Sequence, residues 1–362
     1  MVGNPVILSV CIPTYNRSKE LKEIVDSILS LERRDIEVVV TDNVSTDDTL
    51  DILQSIQDDR LRICKNEKPI PGLCNMIEAI FNANGKYALY CNDRDLLYPS
   101  AINRLVNFLK SGEYSYIKTS RKLGQPTNTV KVFKKGYDSL MHHMLGLHPT
   151  GMVFNCELIR EHDLDKEKYF GYAEYIYVYD FLAWDLMHYD KAVFYDYGCW
   201  AERPPIYVKT HKSGINSPWY LPKHWIGYMQ KTLDYIFNEC RFELTEVQSK
   251  NLALGIMKDL ATHAWTYKRV MSLNYLTAHI GSKPRLVSTP EMLKYSIDYS
   301  TACTKFLRER GYPESYAEEW KKYIPQYLYE TICNSLKEDR AILGRNYREF
   351  KRQIRARKAE KH

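Results

Sequence analysis

Two aspartates one residue apart, Asp93 and Asp95, follow the short apolar run 87–91 in the stretch YALYCNDRDLLYP. Side chains alternate along an extended backbone, so an Asp-x-Asp at a strand end is expected to aim both carboxylates the same way. Such a pair is a hard-oxygen site suited to Mg2+ or Mn2+, completed by water and a ligand's phosphates. The same residues would also serve as a turn-capping Asp followed by a solvated one, so the flanking segments must decide.

Those segments alternate in type. Residues 6–12 and 36–41 are buried-strand runs, 61–64 and 87–91 are shorter ones, and 114–119 is a fifth. Between them lie helices with i, i+3, i+4, i+7 apolar spacing: Leu21, Ile24, Val25, Ile28 and Leu29; Leu50, Leu53 and Ile56; Leu73, Ile77, Ile80 and Phe81; Ile102, Leu105, Val106 and Leu109. Ser18 and Ser100 are the expected N-caps of the first and last. Strands alternating with amphipathic helices imply an α/β fold with a parallel sheet covered on both faces. Ligands of such sheets bind beyond the carboxyl ends of the strands. There fall Thr14-Tyr15-Asn16, Asp42 and the Asp93/Asp95 pair.

Composition narrows the class. The 362 residues suffice for one large or two modest domains, and a 44% hydrophobic share is that of an ordinary soluble globule. The first charge is Arg17, so no basic signal-peptide region is read, and no run of about 18 apolar residues predicts a spanning helix. Nine cysteines are scattered without a C-x-x-C, which argues for reduced thiols in a cytosolic compartment and against a zinc site or disulfide frame. No G-x-G-x-x-G follows a strand and no P-loop is present, so a metal held by carboxylates is the natural partner for a diphosphate. No nucleic-acid partner is expected. His142, His143 and His148 read as ordinary histidines, because a diphosphate-bound metal prefers oxygen.

Three segments, SVCIPTYNR from Ser9, TDNVSTDDT from Thr41 and NDRDLL from Asn92, together resemble the family-two glycosyltransferases of GT-A fold. The resemblance covers about residues 5–215. It implies a mostly parallel sheet flanked by helices, a nucleotide-sugar donor (UDP- or similar), Mn2+ or Mg2+, and inverting transfer, as in enzymes that build bacterial surface polysaccharides. By the resemblance, Pro13, Thr14, Tyr15, Arg17 and Asp42 hold the nucleotide, and Asn75 adds a contact. Asp93 faces the ribose or donor sugar and shares with Asp95 the binding of the metal. Arg94 departs from the family's common triple aspartate. The loop at His148-Pro149-Thr150-Gly151, before the strand-like 152–155, resembles the family's acceptor-side loop. Asp180 fits the catalytic base best, although Tyr179 replaces the usual Glu; Glu174 and Asp185 are the alternatives, and a helix N-cap is another use for Asp180. His211, Lys212 and Ser213 lie where relatives have a loop closing over the diphosphate.

The expected domains are 1–218, with donor half 1–120 and acceptor half 121–218, and a helical domain 219–362 beyond a Gly/Pro-containing linker at 214–222. Its helices are expected at 224–239, 245–267, 290–310, 314–337 and 340–358. Residues 337–362 carry ten Lys/Arg against four acids, a net +6, with Leu343, Tyr347, Phe350 and Ile354 on one helical face. A peripheral contact with the inner face of an anionic membrane would suit a lipid-linked or glycan acceptor, and a homodimer is a second use of the helical part. The rival readings are a nucleotidyltransferase, which normally carries a glycine-rich basic loop after its first strand, and a non-catalytic glycan- or nucleotide-binding subunit.

Overall fold

A computed structural model describes residues 5–122, 125–142, 148–175, 177–203, 222–240, 242–271 and 286–359. The chain divides into two compact units, residues 1–215 with 235–248, and residues 216–234 with 249–362.

In the first unit the apolar runs form β1 (Leu8–Thr14), β2 (Ile36–Asp42), β3 (Leu61–Lys65) and β4 (Tyr87–Tyr90), all parallel in the order β3-β2-β1-β4. Every residue of β2 and β4 is buried, as in strands covered on both faces. The helices α1 (Ser18–Leu29), α2 (Thr49–Gln54), α3 (Gly72–Phe81) and α4 (Pro99–Leu109) supply the cover. α1 buries Leu21, Ile24, Val25 and Ile28, and α4 buries Ile102, Leu105, Val106 and Leu109, as their spacing predicts. The expected caps are displaced by one or two residues. Arg17 precedes α1, leaving Ser18 inside it, and Tyr98 precedes α4, because Pro99 is preorganised for a first helical position.

Beyond β4 the sheet is mixed rather than purely parallel. After β5 (Leu96–Leu97), β6 (Tyr116–Arg121) and β7 (Thr129–Phe133) comes β8 (Met152–Asn155), which inserts antiparallel between β4 and β6. β9 (Ala192–Ala201) runs parallel to β6 and pairs antiparallel with both β5 and β7. Two strands carry no periodic apolar signal: β9, where Asp196 and Gly198 interrupt the pattern, and β7, an edge strand with mostly exposed residues. Four short helices complete the unit: α5 (Tyr137–His142), α6 (Cys156–Glu161), α7 (Lys166–Phe170) and α8 (Val178–Met187).

The second unit is helical: Pro222–Asp234, most of Glu246–Met271, Thr289–Glu309 and Glu314–Ala359. The two helices expected at 314–337 and 340–358 are one continuous helix of 46 residues. No Gly or Pro separates Lys337 from Arg340, so nothing stops the backbone there. Lys268, 1% exposed, anchors it by donating to Ser335 Oγ (2.8 Å) and pairing with Asp339 Oδ1 (2.7 Å). Residues 214–221 of the expected linker lie outside the described residues. Among the described residues no helix is long and apolar enough to cross a membrane.

Candidate active site at the carboxyl edge of the sheet

Parallel register brings the polar strand ends level: Thr14 is paired with Asp42, and Asp42 with Lys65. The loops after β1 and β2 are then sewn together. Asn16, in the left-handed region at φ 54°, accepts from Thr46 N–H (2.7 Å) and gives its own N–H to Ser45 Oγ (2.9 Å), while Arg17 N–H donates to Thr49 Oγ1 (3.1 Å). Asp42 is fully buried and takes Ser45 N–H at 3.0 Å, so it is the turn-forming Asp of this loop whatever else it contacts. Val44 beside it has φ 62°, a conformation a β-branched residue adopts only under local constraint. Tyr15 projects from the same edge, 46% exposed. Asn75, 3% exposed on α3, accepts from Asn66 Nδ2 (2.8 Å), and Asn66 also donates to Asn43 Oδ1 (2.9 Å). Three asparagines thus tie α3 to the ends of β2 and β3. Asn43 and Asn66 were not singled out from sequence, since isolated asparagines carry no periodic signal.

The Asp-x-Asp geometry departs from the extended alternation expected of it. The strand stops at Tyr90, and Asp95 N–H closes a turn on Asn92 O (3.1 Å). The two carboxylates consequently meet different elements. Asp93 faces β1: its Oδ2 accepts from Thr14 Oγ1 (3.3 Å), and Arg17 Nε lies 3.3 Å from Oδ1. Burial pushes Asp93 up to about 6, against the opposing pull of the Arg17 and Arg94 guanidinium groups. Asp95 faces the β8 side: its Oδ2 accepts from Thr150 Oγ1 (2.5 Å) and Asn92 Nδ2 (2.9 Å), with His148 Nε2 at 3.6 Å. Burial raises Asp95 too, offset by these two hydrogen bonds. Its Oδ1 has no hydrogen-bond donor among the described residues.

Thr150, expected only as part of the acceptor-side loop, has a second position in the site. Fully buried, it donates to Asp95 and accepts Asn92 N–H (3.0 Å), so one hydroxyl fixes both ends of the turn. Gly151 holds the bracket in place, donating to Tyr90 O (2.9 Å) and accepting from Thr119 N–H (3.0 Å). At φ +88°, and with a Cβ that would lie 2.5 Å from the Trp200 ring, position 151 admits only glycine without rearrangement. His148 stacks on Trp200 with ring centroids 4.5 Å apart. Burial and the cations Lys118, Arg94 and Arg121 push it down to about 3, which keeps it neutral.

Asp180 lies in the first turn of α8 at 2% exposure, third in a helix whose N-cap position is Tyr177, so it is not the N-cap residue. Lys118 of β6 donates to His148 O (2.5 Å), and burial pulls its ammonium down to about 8 against the raising field of Asp180. This half-buried lysine, between Ile117 and Thr119 of β6, carries no signal in the apolar pattern. The two alternative bases differ sharply. Glu174 is exposed. Asp185 is consumed by structure, accepting from Tyr169 OH (2.6 Å), Tyr235 OH (2.8 Å) and Cys240 Sγ (3.2 Å) beside Lys168 Nζ (2.8 Å). Its carboxylate is thus held in structural hydrogen bonds, with Oδ2 taking three of the four donors. His211, Lys212 and Ser213 lie outside the described residues.

A cation fits Asp95 better than the pair. Asp95 offers an unengaged oxygen at the strand edge, whereas both oxygens of Asp93 face Thr14 and Arg17. Among the described residues no three His, Cys, Asp or Glu side chains converge as a protein-built metal cage. A Mg2+-type ion that keeps its waters and leans on one carboxylate plus substrate phosphates needs none.

Residues 9–166 match the sequence model of glycosyl transferase family 2. A GalNAc(5)-diNAcBac-PP-undecaprenol beta-1,3-glucosyltransferase of Campylobacter jejuni is 30% identical over 129 residues, 35% of this chain and 41% of that protein. The Escherichia coli protein WfaP, a UDP-Glc:alpha-D-GlcNAc-diphosphoundecaprenol beta-1,3-glucosyltransferase, is 31% identical over 107 residues, 29% of this chain and 42% of its own length. These two matches thus span less than half of either relative. Among solved structures, residues 1–349 of TarS from S. aureus share the fold with a TM-score of 0.56 at 15% identity, over 93% of this chain and 92% of that one.

Proposed function

We propose that this chain, whose residues 9–166 match the glycosyl transferase family 2 model, moves a sugar from a nucleoside-diphosphate donor to a hydroxyl of a lipid-linked or other glycan acceptor, inverting the anomeric carbon. The observation that carries this reading is the gathering of Thr14, Arg17, Asp42, Asp93 and Asp95 on one edge of the sheet, with Asp95 held ready by Thr150. The names of the two bacterial relatives, both acting on undecaprenol-linked diphosphates and one with UDP-Glc, support a UDP-sugar donor and a lipid-linked acceptor in surface polysaccharide synthesis.

In this reading the loop 13–17 and Asp42 receive the nucleotide, with the exposed Tyr15 ring available to the base and Asn75 stiffening the floor. Asp93, steered by Arg17, faces the ribose or donor sugar. Asp95 holds Mn2+ or Mg2+, which when bound supplies charge neutralisation at the leaving diphosphate. Asp180 takes the proton of the acceptor hydroxyl as its oxygen attacks from the side opposite the diphosphate. Residues 1–218 are the catalytic domain in this reading.

Replacing Asp95 by Asn tests the assignment, because an amide removes the charge while keeping the volume. The variant is expected to lose the Mn2+-dependent part of UDP-sugar binding by calorimetry, with its circular dichroism unchanged. Retained, Mn2+-dependent binding at wild-type affinity would contradict it.

A further inference from the structure

The helix Glu314–Ala359 has two apolar faces on opposite sides. One is packed inside the helical unit through Tyr327, Thr331, Ser335 and Ile342, all 4% exposed or less. The other is open: Tyr329 is 68%, Leu336 50% and Leu343 67% exposed, with Cys333 and Arg340 also exposed between them. These positions step by four, three, four and three residues, and the sequence continues the same steps through Tyr347, Phe350 and Ile354. Alternating steps of three and four make the narrow seam of a coiled coil, whereas a helix lying in a bilayer presents a broader apolar face. Arg340 within the seam is the kind of polar interruption that fixes register.

Charge decides the occupant and its direction. Residues 314–330 carry four Glu against two Lys, a net −2, while residues 337–358 carry nine Lys/Arg against three acids, a net +6. A parallel neighbour of the same sequence would lay two strongly basic segments side by side, whereas an antiparallel one with the seams overlaid sets residues 337–354 level with 329–346, which carry three acids and three bases. We propose that this face binds a second copy of the chain as an antiparallel helix pair. Overlaying the whole seam, residues 329–354, sets residue 338 (Glu) level with residue 345 (Arg) of the second copy, and position 333 level with position 350.

Sedimentation velocity on the full chain tests this. Wild type is expected to sediment as a dimer, and Leu336→Glu or Leu343→Glu, both at exposed positions, is expected to weaken dimerisation by at least about tenfold with unchanged circular dichroism. Mild oxidation of Phe350→Cys is expected to give a cross-linked dimer through Cys333, and wild type none. A monomeric wild type overturns the proposal, and monomers that pellet with anionic vesicles through this face would assign it to a lipid surface instead. A Cys333–Cys333 cross-link in wild type would refute the antiparallel arrangement.

Discussion

Thr150→Val isolates the hydroxyl that holds the Asp95 turn. The substitution is nearly isosteric, so it removes two hydrogen bonds and little packing. One of them, to the Asp95 carboxylate at 2.5 Å, is charge-assisted; the other accepts Asn92 N–H at 3.0 Å. A hydrogen bond to a charged group is worth about 1.5–3 kcal/mol, and a buried N–H left without an acceptor costs about 1–3 kcal/mol. The two overlap where the turn relaxes, so a loss of about 2–4 kcal/mol is expected, read as a lower urea midpoint at constant slope. In a unit of this size about 3 kcal/mol corresponds to roughly 6–12 °C in Tm. Asp95 also loses one of the two hydrogen bonds that oppose its burial, so Mn2+-dependent UDP-sugar affinity is expected to fall as well. Thr150→Ser keeps the hydroxyl and is the control: its donor affinity should stay near wild type. If Val and Ser variants matched wild type in both stability and Mn2+-dependent affinity, the bracket would have no role in holding Asp95.

Asp180→Asn is expected to lower turnover about 10²–10⁴-fold while leaving donor affinity unchanged, the signature of a lost general base; equal loss in Glu174→Gln with a normal Asp180→Asn would move the role to Glu174. Acid stability offers a separate check. Asp35, bonded at 2.8 Å to both Arg33 Nε and Nη2 and paired with Lys110, is lowered to about 2. A depressed folded-state pKa contributes stability that is present above the unfolded value near 4 and is lost as pH falls through about 2. Asp35→Asn should therefore be less stable than wild type by about 2 kcal/mol at pH 7, with the difference vanishing towards pH 2 in urea titrations. A gap that persisted undiminished at pH 2 would show that packing and not charge is at stake.

The donor half was legible because its strands are continuous apolar runs ending in polar residues, and parallel register alone brings Thr14, Asp42 and the end of β4 to one edge. What was not legible depends on long-range pairing. Thr150 reaches Asp95 across 55 residues only because β8 inserts antiparallel beside β4, and nothing local announces that insertion. The expected alternation of Asp93 and Asp95 failed for a local reason: Asn92 closes a turn, so the carboxylates part toward β1 and β8. Asp185 looked like a second candidate base because its chemistry is identical to that of Asp180; only the Tyr169 and Tyr235 hydroxyls folded onto it show that it is held in structural hydrogen bonds. The single terminal helix was read as two because apolar spacing cannot distinguish a short break from a continuous turn.

Metal-dependent inverting transfer is measured most directly by incubating the full chain with a panel of nucleotide sugars and an undecaprenol-linked glycan acceptor, with and without Mn2+, and following both products. Acceptor-dependent release of nucleoside diphosphate that needs the metal and is lost in Asp95→Asn is expected, with a product whose anomeric proton coupling shows configuration opposite to the donor's. Release of pyrophosphate, retention of configuration, or turnover indifferent to Mn2+ and to Asp95 would contradict metal-dependent inverting transfer.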